Sequence, residues 1–208
     1  MELKLSTLGV AAIAAAVALS GAACSKDSSS KSTSSPSSSS SSATTSSSKA
    51  ETSSAAAAAT DYAALLITPE DIVIPNDSFV AEPPQLNPGG SEGVAAGFHN
   101  TDGQRTIGDT IMVLPDPESA KTAMDGAVQA LDQSIANPAP EPVAVGDDGV
   151  FAAGESPDGS QAVTVVTFTQ GNGFVVMQFN GPPGDAADKD FAVALAQKQA
   201  ENLKTGLG

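Results

Sequence analysis

The sequence predicts an α+β fold: a single domain with a curved antiparallel β-sheet and two main helices packed on one face, preceded by a signal peptide and a disordered linker. Three observations predict it. Gln161–Thr169 and Phe174–Asn180 are β-branched and aromatic, and Gln170-Gly-Asn-Gly173 joins them as a hairpin. Ala120, Ala123, Met124, Ala127, Val128, Leu131 and Ile135 recur at spacings of three and four, the period of one helical face. A second amphipathic stretch closes the chain. The order strand, strand, helix, strands, hairpin, helix has no β-α-β alternation, so the sheet is expected to be antiparallel.

Taken in order, the chain opens on a weakly basic start, Lys4 diluted by Glu2, and an uncharged run from Leu8 to Leu19. Twelve residues fall well short of the roughly 20 needed to span a bilayer. The run fits the hydrophobic region of a secretory signal, and residues 1–23 read as a signal peptide. Cys24, the only cysteine among 208 residues, stands where that run ends. Ala22, Ala23 and Ser25 resemble the surroundings of the bacterial lipobox cysteine, which receives acyl chains after cleavage. Gly21 stands where that motif usually has leucine, and ordinary cleavage near Ser20-Gly-Ala22 is the alternative. Lipidation at Cys24 is the expectation, with palmitate-type chains holding the protein to the outer face of the cell membrane. Two or more chains anchor stably where one does not.

Residues 24–58 are serine-rich and lack apolar periodicity, so burial cannot offset the entropy of ordering them. They read as a disordered linker with a reach on the order of 30 Å. Residues 59–208 remain as the globular domain, about 150 residues, enough for one core.

Within the domain, Thr68-Pro69-Glu70-Asp71 is a helix start: a capping hydroxyl, proline at the first position and acids in the first turn. Glu82–Gly90 reads as a loop because of its prolines and glycines. Gly93–His99 and Thr106–Leu114 form two strands around Asn100-Thr-Asp-Gly103. In the second, Ile107, Ile111 and Val113 share one face, and Met112 and Leu114 the other. Asp116 caps the first main helix, Pro117 starts it and Asn137-Pro138 ends it. A short strand pair follows around Gly146-Asp-Asp-Gly149. Val163 and Val165 oppose Thr164, Val166 and Phe168, so that strand is apolar on both faces and central. Gly181-Pro-Pro-Gly184 breaks the sheet. The last helix runs from about Asp188 to Thr205, with Ala192, Leu195, Ala196 and Leu203 along one side and Gly206-Leu207 as its end.

The chain carries 24 acids against nine bases, net −15. Only Glu2, Asp27 and Glu51 among the acids precede Asp61, so the acidity belongs to the domain. That charge excludes nucleic acid as a partner and direct adsorption of the domain to anionic lipid, both of which need clustered Lys and Arg. One cysteine and one histidine exclude an intramolecular disulfide and a multi-histidine metal site. No cofactor and no metal are expected. Asp147-Asp-Gly149 and Asp158-Gly159 lack the alternating acids of a calcium loop and read as acid-glycine turns. His99 as a catalytic base would need an acid, Asp102 or Asp109, and an exposed hydroxyl; no nucleophile elbow accompanies it. No catalytic residue is assigned, and the protein reads as non-enzymatic.

Leu65-Leu-Ile-Thr-Pro-Glu-Asp-Ile72, Gly146-Asp-Asp-Gly149, Gly171-Asn-Gly-Phe-Val-Val-Met-Gln-Phe179 and Ala194-Leu-Ala-Gln-Lys-Gln-Ala200 resemble a group of mycobacterial and related actinobacterial cell-surface lipoproteins. That group is similar in layout to the extracytoplasmic sensor domain of PknH-type receptor kinases and to Mog1/PsbP-like lipoproteins. The resemblance implies a curved antiparallel sheet with two helices. It brings no catalytic residues.

The function expected is that of a membrane-anchored extracytoplasmic lipoprotein of the cell envelope. It would be a non-enzymatic binding domain for a small molecule, a lipid or an envelope protein. Gln85, Asn87, His99 and Asp102 are the candidate binding-loop residues, because loops placed by a sheet carry most binding. The alternative is a lipid or glycolipid carrier with an enclosed apolar cavity between sheet and helices. A third reading, an envelope hydrolase, needs His99 beside its acid and a hydroxyl.

Overall fold

The structure is a computed structural model and describes residues 62–207. The expected signal peptide 1–23, Cys24 with its lipid, and the linker to residue 58 lie outside the described residues. Among the described residues no helix is long and apolar enough to cross a membrane.

An open antiparallel sheet of eight strands forms the domain. The strands are β1 (Phe79–Ala81), β2 (Gln85–Leu86), β3 (Gly93–Asn100), β4 (Thr106–Val113), β5 (Glu141–Val143), β6 (Asp148–Glu155), β7 (Ala162–Gln170) and β8 (Gly173–Gly181). Across the sheet they run β1-β3-β4-β8-β7-β6-β5, with β2 pairing β3 beyond β1. Both hairpins read from the sequence are present, Asn100–Gly103 and Gly171-Asn172, with Gly103 and Gly171 at φ 69° and 57°. The stretch Glu82–Gly90 is not all loop, since Gln85-Leu86 pairs with Val94 and Ala95. Phe79 stands opposite Asn100 but Gln85 opposite Ala95, so the border strand carries one residue more than its partner. Glu82, Pro83 and Pro84 absorb it as a bulge. The other border strand, β5, holds Pro142.

Helix α1 (Pro117–Gln129) begins as expected, with Asp116 accepting from the Ser119 amide at 2.7 Å. It stops at Gln129, and a 3-10 turn at Leu131–Gln133 brings Ile135 into the core. Helix α2 (Lys189–Gly206) is capped by Asp188, which accepts from the amides of Asp190 and Phe191.

The two helices lie on opposite faces of the sheet, which corrects the expected one-sided packing. Val166, Phe168, Val175, Met177 and Phe179 pack with Ala192, Leu195, Ala196 and Leu203 of α2. Val163, Val165 and Val176 pack with Val128, Leu131 and Ile135, and Phe174 with Ala120 and Met124. The reason lies in β7 itself: all its residues but Gln170 are buried, so each face must be covered. Burying its two faces under one helix each leaves β3 and β4 uncovered on the α2 side. The segment Tyr62–Ile72 fills that place as a strap. Leu65, Ile67 and Ile72 are 3–5% exposed and pack over Val94, Phe98, Ile107 and Ile111.

Side chains of α2 hold the strap. Gln199, fully buried, accepts from the Ile67 amide at 2.9 Å and donates to the Leu65 carbonyl at 2.7 Å. Asn202 donates to the Leu66 carbonyl. Tyr62 donates to Glu92. The predicted helix start at Thr68 is a single 3-10 turn, Pro69–Asp71, whose Asp71 carboxylate accepts from the Thr68 amide and hydroxyl. The strap needs glycine at the end of α2, because a Cβ at Gly206 would lie 2.2 Å from Leu65 Cδ2. Gly206→Ala should therefore push Leu65 outward. Because the colliding atom is the end of a flexible side chain, the overpacking stays at the low end of about 1–3 kcal/mol and about offsets the roughly 1 kcal/mol gained in helix propensity. A nearly unchanged thermal midpoint with faster amide exchange at Ile67 is the expected readout.

Candidate functional site

Two clefts open on the α2 face. One, about 550 Å³, runs between the strap and the last turns of α2. Its lining mixes Leu65 and Leu66 with Thr68, Asp71, Lys198 and Asn202. The other, about 400 Å³, lies where the strap ends. It is the smaller but the more apolar, with Phe79, Ile107, Phe179 and Phe191 in its walls beside Ile74 and Ala187. Apolar walls with a few converging polar groups are what small-molecule sites share, so the second cleft is the candidate.

Each wall follows from the chain's local pattern. Ile107 and Phe179 are cross-strand partners on β4 and β8, on the face covered by α2. Phe191 stands in the first turn of α2, aimed by the Asp188 cap. Its ring meets that of Phe179 edge-on, at 5.9 Å between centroids and 73° between planes. Phe79 enters from β1. At the mouth is Arg105, the only arginine of the chain. It donates through Nη1 to Asp77 at 3.2 Å and through Nη2 to Asp185 at 2.5 Å. It thereby ties the turn before β1 to the loop after β8. Hydrogen bonding from the Asn100 side chain, joined by Arg105, holds the Asp77 carboxyl below its usual range. Asp185 raises the Arg105 guanidinium further.

A second unusual group lies beneath the strap. Asp109 sits between Ile107 and Ile111 on β4, opposite Ala96 and Met177. It is fully buried, and neither carboxylate oxygen has a hydrogen-bond partner. Burial pushes its pKa up to about 7; the Ile67 amide, close by but committed to Gln199, draws it back only in part.

The residues singled out by sequence lie elsewhere. Gln85 and Asn87 flank one end of β3, with Asn87 at φ 52°, while His99 and Asp102 stand at the other. About four residues of strand, roughly 13 Å, separate the two pairs, and none of the four lines either cleft. His99 is on the α1 face, its Nδ1 4.0 Å from Glu82. Asp109 is on the opposite face, and Asp102 accepts from the Gln104 amide in its own turn. Neither acid orients the imidazole. Asp147 accepts from the Gly171 amide and Asp158 from Ser156 and Ser160, as acid-glycine turns do. The space expected for a carrier is also placed differently. The layer under α2 is filled by Val166, Phe168, Val175, Met177 and Leu203, all fully buried, and the apolar cleft is open at the sheet's end. Arg105 and Phe191 were missed as site residues. The signal for Arg105 was its singularity in an acidic chain.

No protein-family model matches the chain, and no curated protein matches it in sequence. Among solved structures, the extracellular domain of PknH from Mycobacterium tuberculosis aligns with a TM-score of 0.49 at 10% sequence identity. The alignment covers 69% of this chain and 95% of that one.

Proposed function

We propose that this protein is a lipid-anchored, extracytoplasmic binding protein, without catalytic activity of its own, whose cleft at the end of the sheet takes a small apolar or amphiphilic molecule. The short apolar run 8–19 and the solitary Cys24 support export and acylation. The serine-rich stretch supports display of the domain at a distance from the membrane. The observation that carries the binding reading is the cleft of about 400 Å³ walled by Phe79, Ile107, Phe179 and Phe191.

The test is calorimetry of the full-length protein in lipid nanodiscs, with empty nanodiscs subtracted, using hexanol as the apolar probe. Saturable binding is expected, abolished by Ala187→Phe, which fills the cleft from its rim. Absence of binding to the parent protein overturns the reading. Acylation is read separately: the peptide that begins at Cys24 should carry the added mass of fatty acyl chains, and Cys24→Ser should lose it.

A further inference from the structure

The charges and rings around the cleft select among amphiphiles, and we infer that its ligand is an organic cation: an ammonium head carrying an apolar chain. This rests on the cleft being a binding site and names the class of molecule it takes.

Arg105 suggests an anion receptor at first sight, but both ends of its guanidinium fork are already engaged, by Asp77 and Asp185. An incoming carboxylate or phosphate could reach only the remaining N–H groups, beside two carboxylates that repel it. The mouth also includes Asp188, whose Oδ1 accepts from two amides of α2. Asp185 and Asp188 thus line the cleft with Arg105, while Asp77 holds the guanidinium from just outside it, so carboxylates outnumber the one cation at the rim. The chain as a whole, net −15, adds to that potential. A carboxylate has about four acceptor sites, so Asp185 and Asp188 retain capacity after these contacts.

Behind the rim stand Phe79, Phe179 and Phe191. The edge-on contact of Phe179 with Phe191 makes two walls of a corner at 73°. Aromatic walls attract a weakly hydrated cation through their quadrupoles, most strongly where water is excluded. A quaternary ammonium loses little on leaving water and gains from both the rings and the rim. An apolar chain attached to it continues along Ile74, Ile107 and Ala187.

The experiment is calorimetry of the same nanodisc-held protein with three probes of matched chain: hexyltrimethylammonium, hexanol and heptanoate. The expected order is ammonium tightest, hexanol weaker by about tenfold, and heptanoate weakest. Asp188→Asn keeps the helix cap and removes one rim charge. It should weaken ammonium binding about three- to fivefold more than it weakens hexanol binding. Hexanol equal to the ammonium, or heptanoate equal to or tighter than either, overturns the cation assignment while leaving the cleft a binding site. No binding by any probe removes the cleft as a site, and this inference with it.

Discussion

At pH 8 the Asp109→Asn protein resists urea better than its parent, by about 3–5 kcal/mol, while at pH 4 the two lie within about 1 kcal/mol. The Asp109 carboxyl has a pKa of about 7 in the folded protein and an ordinary value of 3.8 when exposed. Between those values the folded state holds a proton that the unfolded state has released, so stability falls as pH rises. The contribution of the neutral form is complete below about pH 4 and is lost by about pH 7. Three units at about 1.36 kcal/mol each set the size of the effect. No charge partner offsets it: the groups facing Asp109 across the strands are Ala96 and Met177, and the carboxylate oxygens are unbonded. Asparagine has the same shape and does not ionise. Carboxyls held below their usual range, such as Asp158 at about 2, stay charged throughout this window and do not mask the trend. Urea midpoints at the two pH values decide the matter. Parallel pH profiles for parent and variant would show that Asp109 keeps an ordinary pKa.

Gln199→Ala is expected to cost about 3–5 kcal/mol, the largest loss from any single polar truncation in the domain. Gln199 is fully buried and hydrogen-bonds two backbone groups of the strap, the Ile67 amide and the Leu65 carbonyl. Truncation leaves both unpaired, at about 1–3 kcal/mol each, and opens a cavity above Leu195 and Leu203. Gln199→Met refills the volume without restoring the hydrogen bonds, and should recover about half of the loss. Hydrogen exchange adds the local readout: the Ile67 amide should lose protection before the amides of β7 and β8. Equal loss of protection everywhere would mean that the strap is not separately held.

Most of the sheet was legible because its signals are local. The alternation in Gln161–Thr169, the glycine turns at Gly103 and Gly171, and the Asp116-Pro117 helix start act within a few residues of themselves. The side taken by each helix is not local. It follows from β7 being apolar on both faces, and a strand buried on both sides demands a cover on each. The strap was recognised only as a helix start at Thr68; its role depends on Gln199, which lies 132 positions away from Ile67. Asp109 was named only as a possible acid for His99, although it stands between Ile107 and Ile111 on the inward face. The cleft was out of reach for a different reason. It is assembled from the strap's end and β1, from β4, and from the stretch that runs from β8 into α2, and a cavity made by segments so far apart in sequence leaves no periodic trace.

The borders of the sheet bear on how these molecules live together. A bare strand edge invites the same edge of a neighbour, and crowding multiplies such encounters. Here one flank is kinked by the extra residue at Glu82-Pro83-Pro84, and the other ends on a three-residue strand with Pro142 at its middle. Neither presents a straight row of free amides. Two copies can therefore meet edge to edge without zipping into fibrils.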